Sequence, residues 1–159
     1  MSKIRVLVVD DHAIVRQGIC AILSAEPDVE VIGEAEDGPA AIAKAAELRP
    51  DIVLMDIAMP TLNGLEATRE IKAQNPDIQV LALTVHDSSD YFFRILEAGA
   101  SGYVLKGSTS NELVSGIRVV HRGGVFLDPF VAKKVVADYL QQFKSGEKGR
   151  YDGLSERER

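Results

Sequence analysis

Asp51-Ile52-Val53-Leu54-Met55-Asp56-Ile57-Ala58-Met59-Pro60 is the stretch that decides the fold. Its four consecutive apolar residues read as a strand buried on both faces, as in a parallel sheet. The strand ends on the carboxylate of Asp56, and Pro60 stops any regular continuation. Taken alone, Asp56 could simply cap the next turn. A carboxylate at the carboxyl end of a strand in an open α/β sheet also lies where such sheets bind ligands. Three further apolar runs favour that second reading. Residues 4–9 end at Asp10-Asp11, residues 79–84 end on Thr84, and residues 102–105 are followed by Lys106.

Working outward, each strand is followed by a helical pattern. Val15, Ile19 and Ile22 share one face, with Pro27 just beyond the helix end. Residues 29–35 form a second strand, and the alanine-rich segment 38–48 a helix closed by Arg49-Pro50. Residues 63–74 carry Leu65, Thr68 and Ile71 on one stripe and stop at Asn75-Pro76. A short helix over 91–98 has Gly99 for its C-terminal cap, and residues 110–122 carry Leu113, Ile117 and Val120. Five β-α units with short connections predict a doubly wound, five-stranded parallel sheet covered on both faces. Right-handed crossovers leave few topologies, and the flavodoxin-like order 2-1-3-4-5 is expected. Strands one and three are then neighbours, so Asp10, Asp11 and Asp56 meet at the switch-point crevice.

The pattern changes after Gly123-Gly124. Asp128-Pro129 is a helix start, Asp as N-cap and Pro at the first helical position. Ala132, Val136, Tyr139 and Phe143 make one stripe of an extra C-terminal helix, which needs a partner for its apolar face. Residues 145–153 are rich in glycine and charge and read as a linker. Leu154-Ser155-Glu156-Arg157-Glu158-Arg159 reads as a helix N-terminus, with Ser155 as cap and Glu158 in the capping-box position. The expected division is a domain over 1–125, a linker helix over 126–144, and over 145–159 a linker with the first residues of a second, truncated domain.

Composition bounds the function. The 159 residues suffice for one domain with a good core plus an appendage. A hydrophobic share of 46% beside 26% charged residues is that of a soluble globular chain. The net charge of −6 argues against nucleic-acid binding by the chain as a whole. No apolar run approaches the ~20 residues of a membrane span, and the N-terminus has no signal-peptide plan. Cys20 alone allows no internal disulfide, fits a reducing cytoplasm and reads as a buried helix residue. His12, His86 and His121 show no metal-ligand spacing and read as surface or supporting histidines.

Three converging carboxylates repel one another unless a cation intervenes. A small set of hard oxygen donors favours Mg²⁺, which keeps waters and accepts a phosphoryl oxygen. An aspartate can act as the nucleophile that takes a phosphoryl group. Lys106 offers a point charge for one phosphoryl oxygen and Thr84 a hydroxyl for another. Carboxylate, metal, lysine and hydroxyl together make a phosphoryl-transfer site governed by positioning and electrostatics.

Asp10-Asp11, Met55-Asp56-Ile57-Ala58-Met59-Pro60, Thr84 and Lys106 resemble the signature of bacterial two-component response-regulator receivers, a CheY-like fold, over residues 3–122. The resemblance implies that Asp56 is the phosphoacceptor. It implies Mg²⁺ bound by Asp11, by Asp10 more often through water, by Asp56 and by the Ala58 backbone carbonyl. It pairs Thr84 with Tyr103 as the family's switch and gives Lys106 the role of the family's lysine. Tyr103 could equally be a half-buried strand residue. Many receivers follow the lysine with a cis proline; here Gly107 follows, and a cis bond without proline is costly. The tail from Leu154, His86 after Thr84, and Gly123-Gly124-Val125-Phe126-Leu127-Asp128-Pro129 are similar to NarL/FixJ regulators with a LuxR-type helix-turn-helix. That resemblance implies a cognate sensor histidine kinase, a homodimer on phosphorylation, no membrane contact, and DNA contacts only through a domain beyond Arg159. Two enzyme-like or ligand-binding readings fit less well. A haloacid-dehalogenase-like phosphatase needs an acid two residues after the nucleophile, where Ala58 stands. A flavin or nucleotide binder needs a glycine-rich or hydroxyl-rich first loop, where Asp10-Asp11-His12-Ala13 would repel phosphate.

Overall fold

The sheet is parallel throughout, with strands in the order β2-β1-β3-β4-β5-β6. The computed structural model describes residues 3–57, 63–85, 89–129 and 132–143, apart from the side chains of residues 89–91. The elements are β1 Ile4–Val9, α1 Ala13–Ser24, β2 Val29–Ala35, α2 Gly38–Leu48, β3 Ile52–Asp56, α3 Gly64–Gln74, β4 Gln79–Thr84, α4 Ser89–Glu97, β5 Gly102–Leu105, α5 Ser110–His121 and β6 Phe126–Leu127. A further helix, α6, covers residues 132–143.

Alternation along the strands builds two cores. Leu7, Val9, Val53, Met55, Val80, Ala82 and Tyr103 point to the face covered by α2, α3 and α4. Val6, Val8, Ile52, Leu54, Leu81, Leu83 and Val104 point to the face covered by α1 and α5. Each fully buried Leu or Ile contributes about 2 kcal/mol relative to exposure. On α1 Ile19 and Leu23 are buried and the expected Val15 and Ile22 pack half-buried against the same core, so the covered stripe holds the predicted residues and adds Leu23. Cys20 is half-buried beside that core.

Local chemistry sets the helix ends. Asp37 accepts the Ala40 N–H at 2.8 Å, Asn63 the Glu66 N–H at 3.0 Å, and Thr109 the Glu112 N–H at 3.2 Å. Arg49 closes α2 in the left-handed region at φ 49°, just before Pro50. Gly99 takes φ 109° after α4, as its capping role requires. α4 begins at Ser89, two residues ahead of the sequence expectation.

Two expectations need correction. The sheet has six strands, not five: Phe126 and Leu127, expected to open the linker, pair with Gly102 and Tyr103 of β5. Two residues carry no periodic signal, and the pairing forms because Gly116 leaves room for the Phe126 ring. A Cβ there would lie 3.0 Å from its Cδ2. The extra C-terminal helix is present, but it meets the domain through Val135, which joins the α2-α3-α4 core. Of its predicted stripe, Val136, Tyr139 and Phe143, with Leu140 beside them, remain 51–57% exposed. The contact line therefore falls one residue off the predicted stripe. Among the described residues, no helix is long and apolar enough to cross a membrane. Residues 145–159 and His86 lie outside the described residues.

Candidate functional site

The carboxyl ends of β1, β3, β4 and β5 deliver Asp10, Asp56, Thr84 and Lys106 to one crevice. β1 and β3 are adjacent, with Val9 opposite Met55, so the residues that follow them, Asp10 and Asp56, emerge side by side. Asp10, Asp56 and Thr84 are buried to within 1% of full enclosure. Asp10 is anchored by its own N–H on Ala35 O at 3.1 Å, while Arg16 Nη1 donates to the Asp10 main-chain carbonyl at 2.6 Å. Arg16 thus fixes the backbone and leaves the Asp10 carboxylate to face the crevice.

Lys106 Nζ lies 2.9 Å from Asp10 Oδ2 and 3.3 Å from Asp56 Oδ2. Burial is the largest single influence on this lysine and pushes its pKa down, but the Asp10 hydrogen bond and the Asp56 and Asp10 charges together hold it above the usual value. It is therefore a fixed cation at neutral pH. The Lys106 N–H donates to Thr84 O at 2.8 Å, which ties the start of the lysine's loop to the end of β4. The Lys106–Gly107 peptide is trans, since no cis bond occurs among the described residues.

Asp10, Asp11, His12 and Asp56 can each offer one ligand atom, all within 4.8 Å of one another. Asp11 Oδ1 is buried within this cluster. This donor set, mainly carboxylate oxygen, fits Mg²⁺. The Ala58 carbonyl lies outside the described residues. Sequence reasoning missed His12. Its N–H donates to Asp10 Oδ1 at 2.8 Å, and its Nδ1 stands 3.0 Å from Asp11 Oδ1. The adjacent position in Asp10-Asp11-His12 was the available signal. His121 is exposed at the end of α5, away from this cluster.

Tyr103 is fully buried and not half-buried; its ring meets Phe92 edge-on with centroids 6.0 Å apart. Ala82 lies opposite Tyr103 and Thr84 opposite Leu105, so Thr84 and Tyr103 share one face of the sheet two positions apart. Two other residues gain importance. A Cβ on Gly64 would lie 2.3 Å from Asp56 O, so this glycine lets α3 approach the backbone of Asp56. Ser108, two residues past Lys106, donates its hydroxyl hydrogen bond to the buried carboxylate of Asp128 at the entry of α6.

Comparison with known proteins agrees with this arrangement. Residues 6–118 match the family model of the response regulator receiver domain. The chain is 44% identical over 155 residues to the response regulator GacA of Pseudomonas protegens, covering 98% of this chain and 71% of that protein. It is 40% identical over 138 residues to the transcriptional regulatory protein DegU of Brevibacillus brevis, covering 87% of this chain and 58% of that protein. A solved LuxR-family two-component response regulator from Aurantimonas superposes with a TM-score of 0.85 at 37% identity, over 87% of this chain and 99% of that one. With sheet order, acidic crevice and relatives in agreement, the chain belongs to the response-regulator receiver family of two-component systems, among regulators of the LuxR type.

Proposed function

We propose that Asp56 accepts a phosphoryl group from a phosphohistidine of a cognate sensor histidine kinase. The observation that carries this reading is the gathering of Asp10, Asp11 and Asp56 at the sheet's carboxyl end, with Lys106 against Asp10 and Asp56. An Asp56 carboxylate oxygen forms the new O–P bond as the donor's N–P bond breaks, and the freed imidazole leaves with the kinase. Lys106 meets the incoming charge, and the Thr84 hydroxyl offers a hydrogen bond to a second phosphoryl oxygen. Asp10, Asp11, Asp56 and the Ala58 carbonyl would hold Mg²⁺, which neutralises charge developing between acceptor and phosphoryl group. The catalytic work is limited to loading and unloading this one aspartate; the chain is a switch and not an enzyme acting on other substrates.

Output belongs to the whole regulator. The relatives are longer than this chain, and DegU is a transcriptional regulatory protein. The receiver of RcsB from Salmonella, 26% identical with a TM-score of 0.77, was solved with a phosphomimetic beryllofluoride. RcsB dimers have also been solved bound to DNA, and these likenesses support a cytoplasmic regulator that dimerises on phosphorylation and controls transcription through a LuxR-type domain outside these residues. Thr84 and Tyr103 would couple the phosphoryl group to the surface, starting from a tyrosine that is already inward.

The test is mass spectrometry after acetyl phosphate, Mg²⁺ and borohydride reduction. Label should map to Asp56 and vanish in Asp56→Asn. Label at another aspartate at the wild-type rate would refute the assignment.

A further inference from the structure

We propose that Ser108 and Asp128 form a tether through which the phosphoryl-binding lysine controls the order of α6. The proposal rests on Asp56 as phosphoacceptor and adds to it a route by which that site regulates the C-terminal helix.

Asp128 is a junction of three parts. Its N–H donates to Tyr103 O on β5 at 3.0 Å, and its carbonyl accepts the Ala132 N–H at 2.8 Å, opening α6. Its carboxylate, 3% exposed as a residue, accepts the Ser108 hydroxyl. Ser108 belongs to the loop that carries Lys106, and one residue, Gly107, separates them. A Cβ on Gly107 would meet nothing within 4 Å, so no packed neighbour hems in this link, which the Ser108 N–H holds to Leu105 O at 3.0 Å. Val85, Leu105, Ser108, Thr109, Glu112 and Asp128 line a cleft of about 480 Å³ beside the tether, which gives the loop room to move.

The direction follows from charge. Lys106 Nζ now sits closer to Asp10, at 2.9 Å, than to Asp56, at 3.3 Å. A phosphoryl group adds close to two negative charges on the Asp56 side. The lysine is drawn toward it, Gly107 follows, and Ser108 is pulled from Asp128. A hydrogen bond to a charged acceptor is worth about tenfold or more in an equilibrium, so its loss loosens the first turn of α6 by about that factor. By linkage, whatever seats α6 on the domain must in turn lower the affinity for a bound phosphoryl mimic.

Amide hydrogen exchange on the full chain tests this, with beryllofluoride and Mg²⁺ as the phosphoryl mimic. In wild type, amides of residues 132–143 should exchange about tenfold faster on addition. In Ser108→Ala they should already be fast and should not respond, while amides around Asp10 still do. Ser108→Thr keeps the hydroxyl and should restore the response, which a purely structural role for Asp128 as helix cap would not require. An α6 response equal in Ser108→Ala and wild type overturns the tether, as does no α6 response where the Asp10 amides show that the mimic has bound. No response anywhere in wild type overturns the phosphoacceptor assignment and the tether with it.

Discussion

The two ends of the sheet treat charge in opposite ways. At the amino end, ionic groups find partners one by one. The Arg5 N–H donates to Asp51 Oδ2 at 2.9 Å, and its guanidinium closes α2 on the carbonyls of Leu48 and Arg49. Lys72 donates to Pro76 O and Ile78 O, and Arg118 binds Asp28 and Glu26. At the carboxyl end Asp10, Asp11 and Asp56 crowd together, with Lys106 against Asp10 and Asp56. The amino end is arranged for stability. The carboxyl end is held at a cost, since a like-charge cluster persists only if the rest of the fold over-determines it. That cost is what makes the site receptive to a cation and a phosphoryl group.

The largest expected effect comes from Lys106→Met. Removing the cation from buried carboxylates should cost about 3 kcal/mol in metal-free urea unfolding. The solvent-screened Arg118→Gln at the other end should cost much less. Comparable losses would erase the distinction between the ends.

Gly64→Ala comes next. Its Cβ would meet Asp56 O at 2.3 Å and Ile57 Cα at 2.6 Å, backbone atoms that cannot swing away. A loss of about 2 kcal/mol is expected, while Gly107→Ala, in open space, should change stability by less than about 1 kcal/mol. Thermal melts of both variants provide the check.

Asp11→Asn sharpens the contrast by sign. Relieving repulsion should raise metal-free stability by about 1 kcal/mol and abolish stabilisation by Mg²⁺. Asp51→Asn should instead lower stability by about 1 kcal/mol, by weakening the acceptor of the Arg5 N–H. A destabilised Asp11→Asn in chelator would contradict this account of the crevice.

The smallest effects lie in pH dependence. The Arg118 hydrogen bond, ahead of the opposing effect of burial, holds Asp28 below the usual carboxylate value. A lowered carboxylate contributes stability above its unfolded pKa, about 3.9, and loses it as pH falls through the folded value. Arg118→Gln should therefore flatten the acid limb of the stability curve. Lys106 is raised, so its contribution is complete below about 10.4 and is lost as pH climbs through the folded value. Lys106→Met should flatten the alkaline limb and leave the acid limb's Asp28 component in place.

Much of this was legible in the sequence because apolar runs and their terminal polar residues report strand ends directly. Asp10, Asp56, Thr84 and Lys106 fall at the carboxyl ends of four strands, and a parallel sheet must then bring them to one edge. What escaped depends on long-range placement. β6 is too short for a period, and the stripe of α6 shows which residues are apolar but not which are covered. Tyr103 could be placed on a strand, but its full burial depends on Phe92 from another element. The Ser108–Asp128 bond joins residues twenty positions apart, beyond the reach of any local pattern.

The short β6 has a consequence for where this unit ends. The family match stops at residue 118, yet the chain goes on to lay Phe126 and Leu127 along β5 and to bury Val135. A chain cut at residue 118 would leave the edge of β5 unpaired and strip Phe126 from Gly116. An open edge of this kind is a template for pairing with another molecule. The two-residue strand therefore covers an edge that would otherwise be open, and a fragment that keeps residues 126–127 keeps that cover.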